Sequence, residues 1–195
     1  KFNFIIFNPP YLPQDKGIED AALYGGKKGW EISARFLSSV SKYLIGDGKI
    51  FFLFSTLTNK EKIESLIWQN LFEFKELASK KISFETLYVY EITKSKLLRE
   101  LESKLVEGVS YFTEGNRGII YTGTLDKGKM VKSHISKSSK VNVAIKVEKR
   151  DMGRVDNEIN WLKILNKERI GPKMLFSGKD YFVYEFVEGE FILDY

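Results

Sequence analysis

Residues 2–7 form a nearly continuous apolar run, Phe-Asn-Phe-Ile-Ile-Phe, that stops against Asn8-Pro9-Pro10-Tyr11. Such a run reads as a buried parallel strand, the kind found inside an α/β sheet. Two consecutive prolines end it, because each fixes φ and offers no N–H to a sheet ladder. The rest of the first half is bounded by that start. Residues 12–28 are polar and glycine-containing and are expected to be a loop. Ile32, Phe36, Val40 and Tyr43 recur at helical spacing and predict a helix over about 30–44. Gly46-Asp47-Gly48 predicts a turn and residues 49–55 a second strand; Ile63, Leu66, Ile67 and Leu71 predict a helix over about 59–71. Two more strand-like runs, near 73–82 and 85–93, are joined by too few residues for a crossover helix, so they pair antiparallel. This half therefore reads β-α-β-α-β-β, parallel first and ending in a hairpin.

Composition narrows the chemistry. The 195 residues are 43% hydrophobic and 29% charged, ordinary for a globular chain. No apolar run approaches the roughly 18 residues of a membrane span, so no membrane association is expected. The chain has no cysteine, which excludes disulfides, Cys-ligated zinc, Fe–S clusters and cysteine nucleophiles. The single histidine, His134, lies in a Lys/Ser-rich stretch and reads as a solvated loop residue; one histidine leaves little room for a Ser-His-Asp triad or a multi-histidine metal site. The net charge of +5 is compatible with nucleic acid or nucleotide ligands without demanding them.

Ligands of open α/β sheets bind beyond the carboxyl ends of the strands, where Asn8-Pro9-Pro10-Tyr11 stands. The prolines remove two donors and hold their carbonyls outward as acceptors. Asn8 adds a side-chain carbonyl. Together they suit an NH₂ group on a planar amide or amino-heterocycle, a poor nucleophile that two fixed acceptors and the flat ring of Tyr11 would orient for in-line attack on a methyl group. The plain alternative is a strand-ending turn.

With these residues in place, residues 1–93 resemble the C-terminal half of a class I S-adenosylmethionine-dependent methyltransferase. Within that superfamily they are similar to the release-factor glutamine N5-methyltransferases in their archaeal and eukaryotic form, through Asn8-Pro9-Pro10-Tyr11-Leu12-Pro13, Tyr24-Gly25-Gly26, Phe36-Leu37, Gly46-Asp47-Gly48 and Leu87-Tyr88-Val89. The tetrapeptide is shared with adenine N6-methyltransferases of DNA and RNA, so the resemblance implies nitrogen methylation and leaves glutamine N5 and adenine N6 both open. It also implies S-adenosylmethionine as cofactor, with most of its site expected before Lys1, a translation release factor or other protein as partner, and a cytoplasmic location.

The second half changes style. Residues 95–107 are charged, with Leu97, Leu101 and Leu105 at helical spacing, and read as a linker helix between residues 1–94 and 108–195. Gly115 and Gly118 lie between strand-like pieces near 108–113 and 119–125, where glycine lets a hairpin backbone lie close over phosphates. Val143-Ala144-Ile145-Lys146 is a strand that places a lysine among apolar neighbours. In the following helix, about 153–168, Leu162 and Leu165 stand at i+4 and i+7 from Glu158, so that carboxylate lies on the apolar stripe and needs a partner, for which Lys146 is the candidate. Such a pair would hold the lysine on nucleotide phosphates. Ile170-Gly171-Pro172 breaks the helix, strands are expected over 173–177 and 181–186, and the stretch Tyr184-Glu185-Phe186-Val187 offers backbone groups to an adenine edge. Residues 127–140 are expected to be an exposed loop, a possible nucleic-acid contact.

This order resembles the N-terminal lobe of a protein kinase, and its compact form is similar to the small atypical archaeal kinases of the RIO and piD261 groups. The resemblance implies an α+β lobe in which Gly115, Gly118, Ile120, Ala144, Lys146, Glu185 and Val187 bind ATP and Lys146 and Glu158 act catalytically, with the magnesium or manganese ligands expected beyond Tyr195. Thr113 stands where the family has its first loop glycine. The whole chain thus reads as an α/β region followed by an α+β region. It is expected to be a fragment of a parent transferase with methyltransferase and Ser/Thr kinase character in one reading frame, the other origin being two neighbouring genes read as one. The alternatives are a kinase-type protein with a remnant methyltransferase part, or a non-catalytic nucleotide- or RNA-binding protein.

Overall fold

The computed structural model describes residues 1–15, 17, 20–116, 118–130, 140–149 and 154–189. The chain divides into two units, Lys1–Ser103 and Lys104–Tyr195, each with its own sheet.

In the first unit the order is β1 (Phe2–Phe7), α1 (Glu31–Val40), β2 (Leu44–Ser55), a 3₁₀ turn (Thr56–Thr58), α2 (Lys60–Gln69), β3 (Phe72–Ile82), β4 (Glu85–Lys94) and α3 (Lys96–Ser103). The strands lie in the order β1-β2-β4-β3. β1 runs parallel to β2, and β4 is antiparallel to both β2 and β3. Ile50, Phe52, Phe54, Tyr90 and Ile92 are buried on one face of this sheet. On that face Phe36 of α1 stacks on Phe7 at 3.8 Å, and the Tyr90 hydroxyl donates to Glu64 of α2 at 2.6 Å.

Three local features differ from expectation. β1 is parallel but is not buried on both sides: Phe2, Phe4 and Ile6 are 61, 63 and 82% exposed. Among the described residues the helices whose contacts are resolved pack on the Phe7–Phe52 side, and β1 is the edge of the sheet. Gly46-Asp47-Gly48 is not a turn ahead of the strand; it lies inside β2, where the β1–β2 register shifts between Phe2 and Phe4. A Cβ on Gly48 would meet the Leu44 side chain at 2.7 Å, so the irregular ladder is closed by a residue without one.

The expected linker helix over 95–107 ends at Ser103, because Leu105 turns the chain with φ of 65°. α3 belongs to the first unit. It buries Leu98 and Leu101, and Lys94, whose side chain is fully buried, donates to Leu44 O at 2.9 Å and to Glu102 at 2.6 Å. Burial pushes the Lys94 ammonium below the usual lysine range despite the Glu102 carboxylate.

The second unit holds β5 (Val106–Glu114), β6 (Gly118–Asp126), the single-turn α4 (Lys127–Met130), β7 (Lys140–Glu148), α5 (Arg154–Lys167), β8 (Met174–Gly178) and β9 (Tyr181–Glu185). Its five strands are all antiparallel, in the order β5-β6-β7-β9-β8. α5 buries Val155 and Ile159 against Phe182, with Leu162, Met174 and Tyr184 packed around them. Leu165, placed on the apolar stripe by its spacing, is 37% exposed instead, because the buried face of α5 runs through Val155, Ile159 and Leu162. Of the loop expected over 127–140, the first residues form α4; residues 131–139, His134 among them, lie outside the described residues.

Candidate functional sites

In the first unit the parallel register carries the motif to the end of the sheet. Phe7 stands opposite Phe52, so Asn8-Pro9-Pro10-Tyr11 leaves the sheet beside the last residues of β2. Ser55, the last residue of β2, stands opposite Leu87 near the start of β4. Residues 8–11, 55–58 and 85–87 therefore meet at one end of the sheet.

The motif turn is held chiefly by backbone. Pro9 is buried, Pro10 and Tyr11 are half-buried and Asn8 is exposed. The Leu12 N–H donates to Leu23 O and the Gly25 N–H to Leu12 O, both at 3.0 Å, and the Thr58 hydroxyl donates to Tyr11 O at 3.2 Å. A Cβ on Gly25 would lie 2.6 Å from Pro10 O and 2.2 Å from Gly29 O; one on Gly29, where φ is +84°, would lie 2.6 Å from Tyr11 O. The two glycines let the segment before α1 lie against the motif backbone. Among the described residues no hydrogen bond uses the Asn8 side chain, so its amide is free to meet a ligand. Burial, and then the Glu85 carboxylate, push the Tyr11 hydroxyl above its ordinary value, so it stays protonated through neutral pH.

This arrangement fits an acceptor nitrogen. The glycine turn that precedes α1 lies against the motif's own Pro10 and Tyr11 carbonyls. The residues missed by sequence reasoning are Thr58, Ser55 and Glu85. They are scattered polar residues whose only shared property is the end of the sheet to which the register brings them.

In the second unit a cavity of about 430 Å³ is lined by Phe112, Ile120, Ala144, Gly171, Pro172, Tyr184, Phe186 and Val187. Lys146 lies two residues along β7 from Ala144, hence on the same face of the sheet. Its Nζ is 2.5 Å from the Glu158 carboxylate on α5, with both side chains only partly exposed. The Tyr184 hydroxyl is pushed up by burial, with the nearby Glu158 charge second. Gly118 is buried, and a Cβ there would meet Val147 O at 2.7 Å, so it serves the β6–β7 ladder. Gly115 sits in the hairpin, donating to Gly118 O at 3.0 Å, with open space where a Cβ would stand.

Glu185 is engaged through its N–H and its carboxylate. It is not among the cavity-lining residues; its N–H donates to Lys173 O at 2.9 Å, and its carboxylate accepts from Lys127 at 2.8 Å. The neighbouring Phe186 N–H is also used, by Asn142 O. Phe112, which crosses Phe186 edge-to-face at 5.7 Å, was not read as a site residue, because an aromatic residue in a strand signals core as readily as cavity wall. The cavity is walled mainly by apolar side chains, and the paired Lys146 ammonium stands on the same face of the sheet.

No protein-family model matches the chain. The chain is similar to methyltransferases over about half its length. It is 37% identical over 94 residues, 46% of this chain and 48% of the relative, to a Methanocaldococcus jannaschii protein named as a protein N5-glutamine methyltransferase. It is 31% identical over 100 residues, 49% of this chain and 47% of the relative, to methyltransferase HEMK2 of Homo sapiens. A solved structure, the E. cuniculi Mtq2–Trm112 complex responsible for methylation of the eRF1 translation termination factor, is similar with 26% identity and a TM-score of 0.41, covering 48% of this chain and 52% of that one. The chain spans about half the length of the curated relatives it matches.

Proposed function

We propose that the first unit is the acceptor side of an S-adenosylmethionine-dependent N-methyltransferase acting on a glutamine side chain of a protein in the cytoplasm, a translation release factor being the substrate class. The observation that carries this reading is the braced Asn8–Tyr11 turn at the end of a parallel strand. The Asn8 side-chain oxygen and the Pro9 carbonyl accept the two amide hydrogens, Tyr11 covers the flat face of the carboxamide, and the rigid backbone holds the nitrogen in line. Similarity to a protein named for glutamine N5-methylation supports a carboxamide over the adenine amino group. The test is transfer of labelled methyl to a release factor by the intact protein. Asn8→Ala is expected to lower the rate at least ~100-fold, since orientation is worth several kcal/mol, with the fold retained by circular dichroism. An unchanged rate refutes the reading.

A second reading concerns the second unit and rests on the Lys146–Glu158 pair beside the apolar cavity. It binds ATP as a protein-kinase-like lobe, with Lys146 on the phosphates and Glu158 fixing the lysine. Lys146→Ala is expected to weaken binding of a fluorescent ATP analogue by ~10- to 100-fold, the range of one charge-assisted hydrogen bond. Unchanged binding refutes it.

A further inference from the structure

We infer that Glu85 is a specificity-determining residue of the acceptor site: a fixed negative charge beside Tyr11 that admits an uncharged carboxamide and turns away a base carried on a phosphodiester chain. This rests on the acceptor-site reading above. Three observations carry it.

Glu85 is held in place. Its carboxylate accepts from the Ser55 hydroxyl at 2.5 Å, and Ser55 is fully buried at the end of β2. The same Ser55 oxygen accepts from the Leu57 N–H at 3.1 Å, which fixes the donor as well as the acceptor.

Glu85 shares its support with Tyr11. The 3₁₀ turn after Ser55 bonds to both sides: Thr58 donates to Tyr11 O at 3.2 Å, and Thr56 Oγ1 accepts from the Thr86 N–H at 3.0 Å. The turn therefore clamps the motif tyrosine and the start of β4 together. The clamp brings the Glu85 charge to the tyrosine's side of the turn, where, after burial, it also pushes the Tyr11 hydroxyl up.

Glu85 is not neutralised. Among the described residues no lysine or arginine pairs with it. The lysines nearest along the chain, Lys80 and Lys81, stand on β3 opposite Leu87 and Thr86 and form no ion pair with Glu85 among the described residues, while Lys60 is engaged by Glu76 at 3.2 Å and Glu64 at 3.8 Å, and Lys62 lies over the Trp30 ring at 4.8 Å. A ligand that stacks on Tyr11 therefore meets an uncompensated carboxylate. A neutral amide loses nothing there, whereas a flanking phosphate is repelled. Discrimination of this kind is built from the repulsive contact, not from the attractive one.

The test reads the site through Tyr11 itself. In protein carrying ring-labelled tyrosine, Tyr11→Phe identifies the Tyr11 NMR signal by its loss. N-acetylglutamine amide and an adenine dinucleoside monophosphate are then titrated against that signal. The unaltered protein is expected to respond to the amide and at least ~10-fold more weakly to the dinucleotide, the order expected for like charges at an intermediate dielectric. Glu85→Gln, which keeps an acceptor for Ser55, is expected to close that gap by about the same factor, and Glu85→Asp to keep it open. Undisturbed signals from Tyr88 and Tyr90 report that the variants fold. If Glu85→Gln leaves the preference unchanged while the amide still binds, the role of Glu85 is overturned and the acceptor reading stands. If neither probe moves the Tyr11 signal in the unaltered protein, the acceptor reading fails and this inference falls with it.

Discussion

The two candidate sites are held by different means. In the first unit the motif turn is packed backbone against backbone: Gly25 and Gly29 lie against the Pro10 and Tyr11 carbonyls, and side chains add a single hydroxyl from Thr58. In the second unit the cavity is held by side chains: a lysine–glutamate pair between β7 and α5, and two crossed phenylalanines. A backbone-packed site is rigid and has no slack for an added atom, since protein interiors leave few voids. A side-chain site keeps its scaffold when one partner is removed and loses only the function of that partner. The two units should therefore fail under opposite kinds of substitution.

The strongest way to break this comparison is one methyl group. Gly25→Ala places a Cβ within 2.6 Å of Pro10 O and 2.2 Å of Gly29 O, both backbone atoms that no rotamer change relieves. The expected cost is about 2–3 kcal/mol in the first unit, the range of overpacked cores. Gly115→Ala in the second unit meets nothing within 4 Å, and its cost is expected to stay below ~0.5 kcal/mol, as for open surface positions. Urea unfolding of both variants checks the pair; equal costs would erase the distinction.

A smaller effect sharpens it. Lys146→Met removes one partner of a half-buried ion pair whose side chains are 20% and 32% exposed. The remaining carboxylate still reaches water, so the expected cost is about 1 kcal/mol, below the range for fully buried pairs. The second unit is expected to unfold in one cooperative step at a slightly lower urea concentration while nucleotide binding is lost. A large stability loss with binding retained would mean that Lys146 serves packing alone.

Legibility in the sequence follows the same division. The closing hairpin of the first unit was readable from connection length: two residues between β3 and β4 permit only a hairpin. The Lys146–Glu158 contact was readable because helical spacing marks a carboxylate on an apolar stripe, although the stripe itself ends at Leu162 and leaves Leu165 outside. What failed to show was whatever depends on the third dimension. An apolar strand looks the same in sequence whether one face or both are covered, so the exposure of Phe4 and Ile6 was hidden. The helix after β4 looked like a linker because its charges suggested solvent, whereas Lys94 and Glu102 consume each other's charge and fasten it to the first unit. Gly25 read as a loop glycine; its closeness to Pro10 is a contact fifteen residues away. Ser55, Thr58 and Glu85 carry no spacing signal at all.

The smallest expected effect asks whether every side-chain contact near the second cavity matters. Glu185 was read as a nucleotide contact through its backbone, and its carboxylate pairs with Lys127 at 2.8 Å, with the two side chains about one-third exposed. The hydrogen bond from Lys127, with the charges of Lys127 and Lys173 beside it, holds the Glu185 carboxyl below the usual carboxylate range. A carboxyl whose folded pKa is depressed binds its proton more readily when unfolded. Its stabilising contribution is therefore full above the ordinary value near 4.5 and is lost as pH falls through the lower, folded value. A pair this exposed is screened by water and salt, so Lys127→Ala is expected to cost no more than ~0.5 kcal/mol at pH 7. The difference between variant and parent should shrink below pH 4 and in high salt, and ATP-analogue binding should not change. Urea unfolding at pH 7 and pH 3.5 measures the first, and the binding titration the second. If Lys127→Ala weakens nucleotide binding while stability hardly moves, the bridge orders β9 for the ligand after all, and the second site is more tightly built than its open side chains suggest.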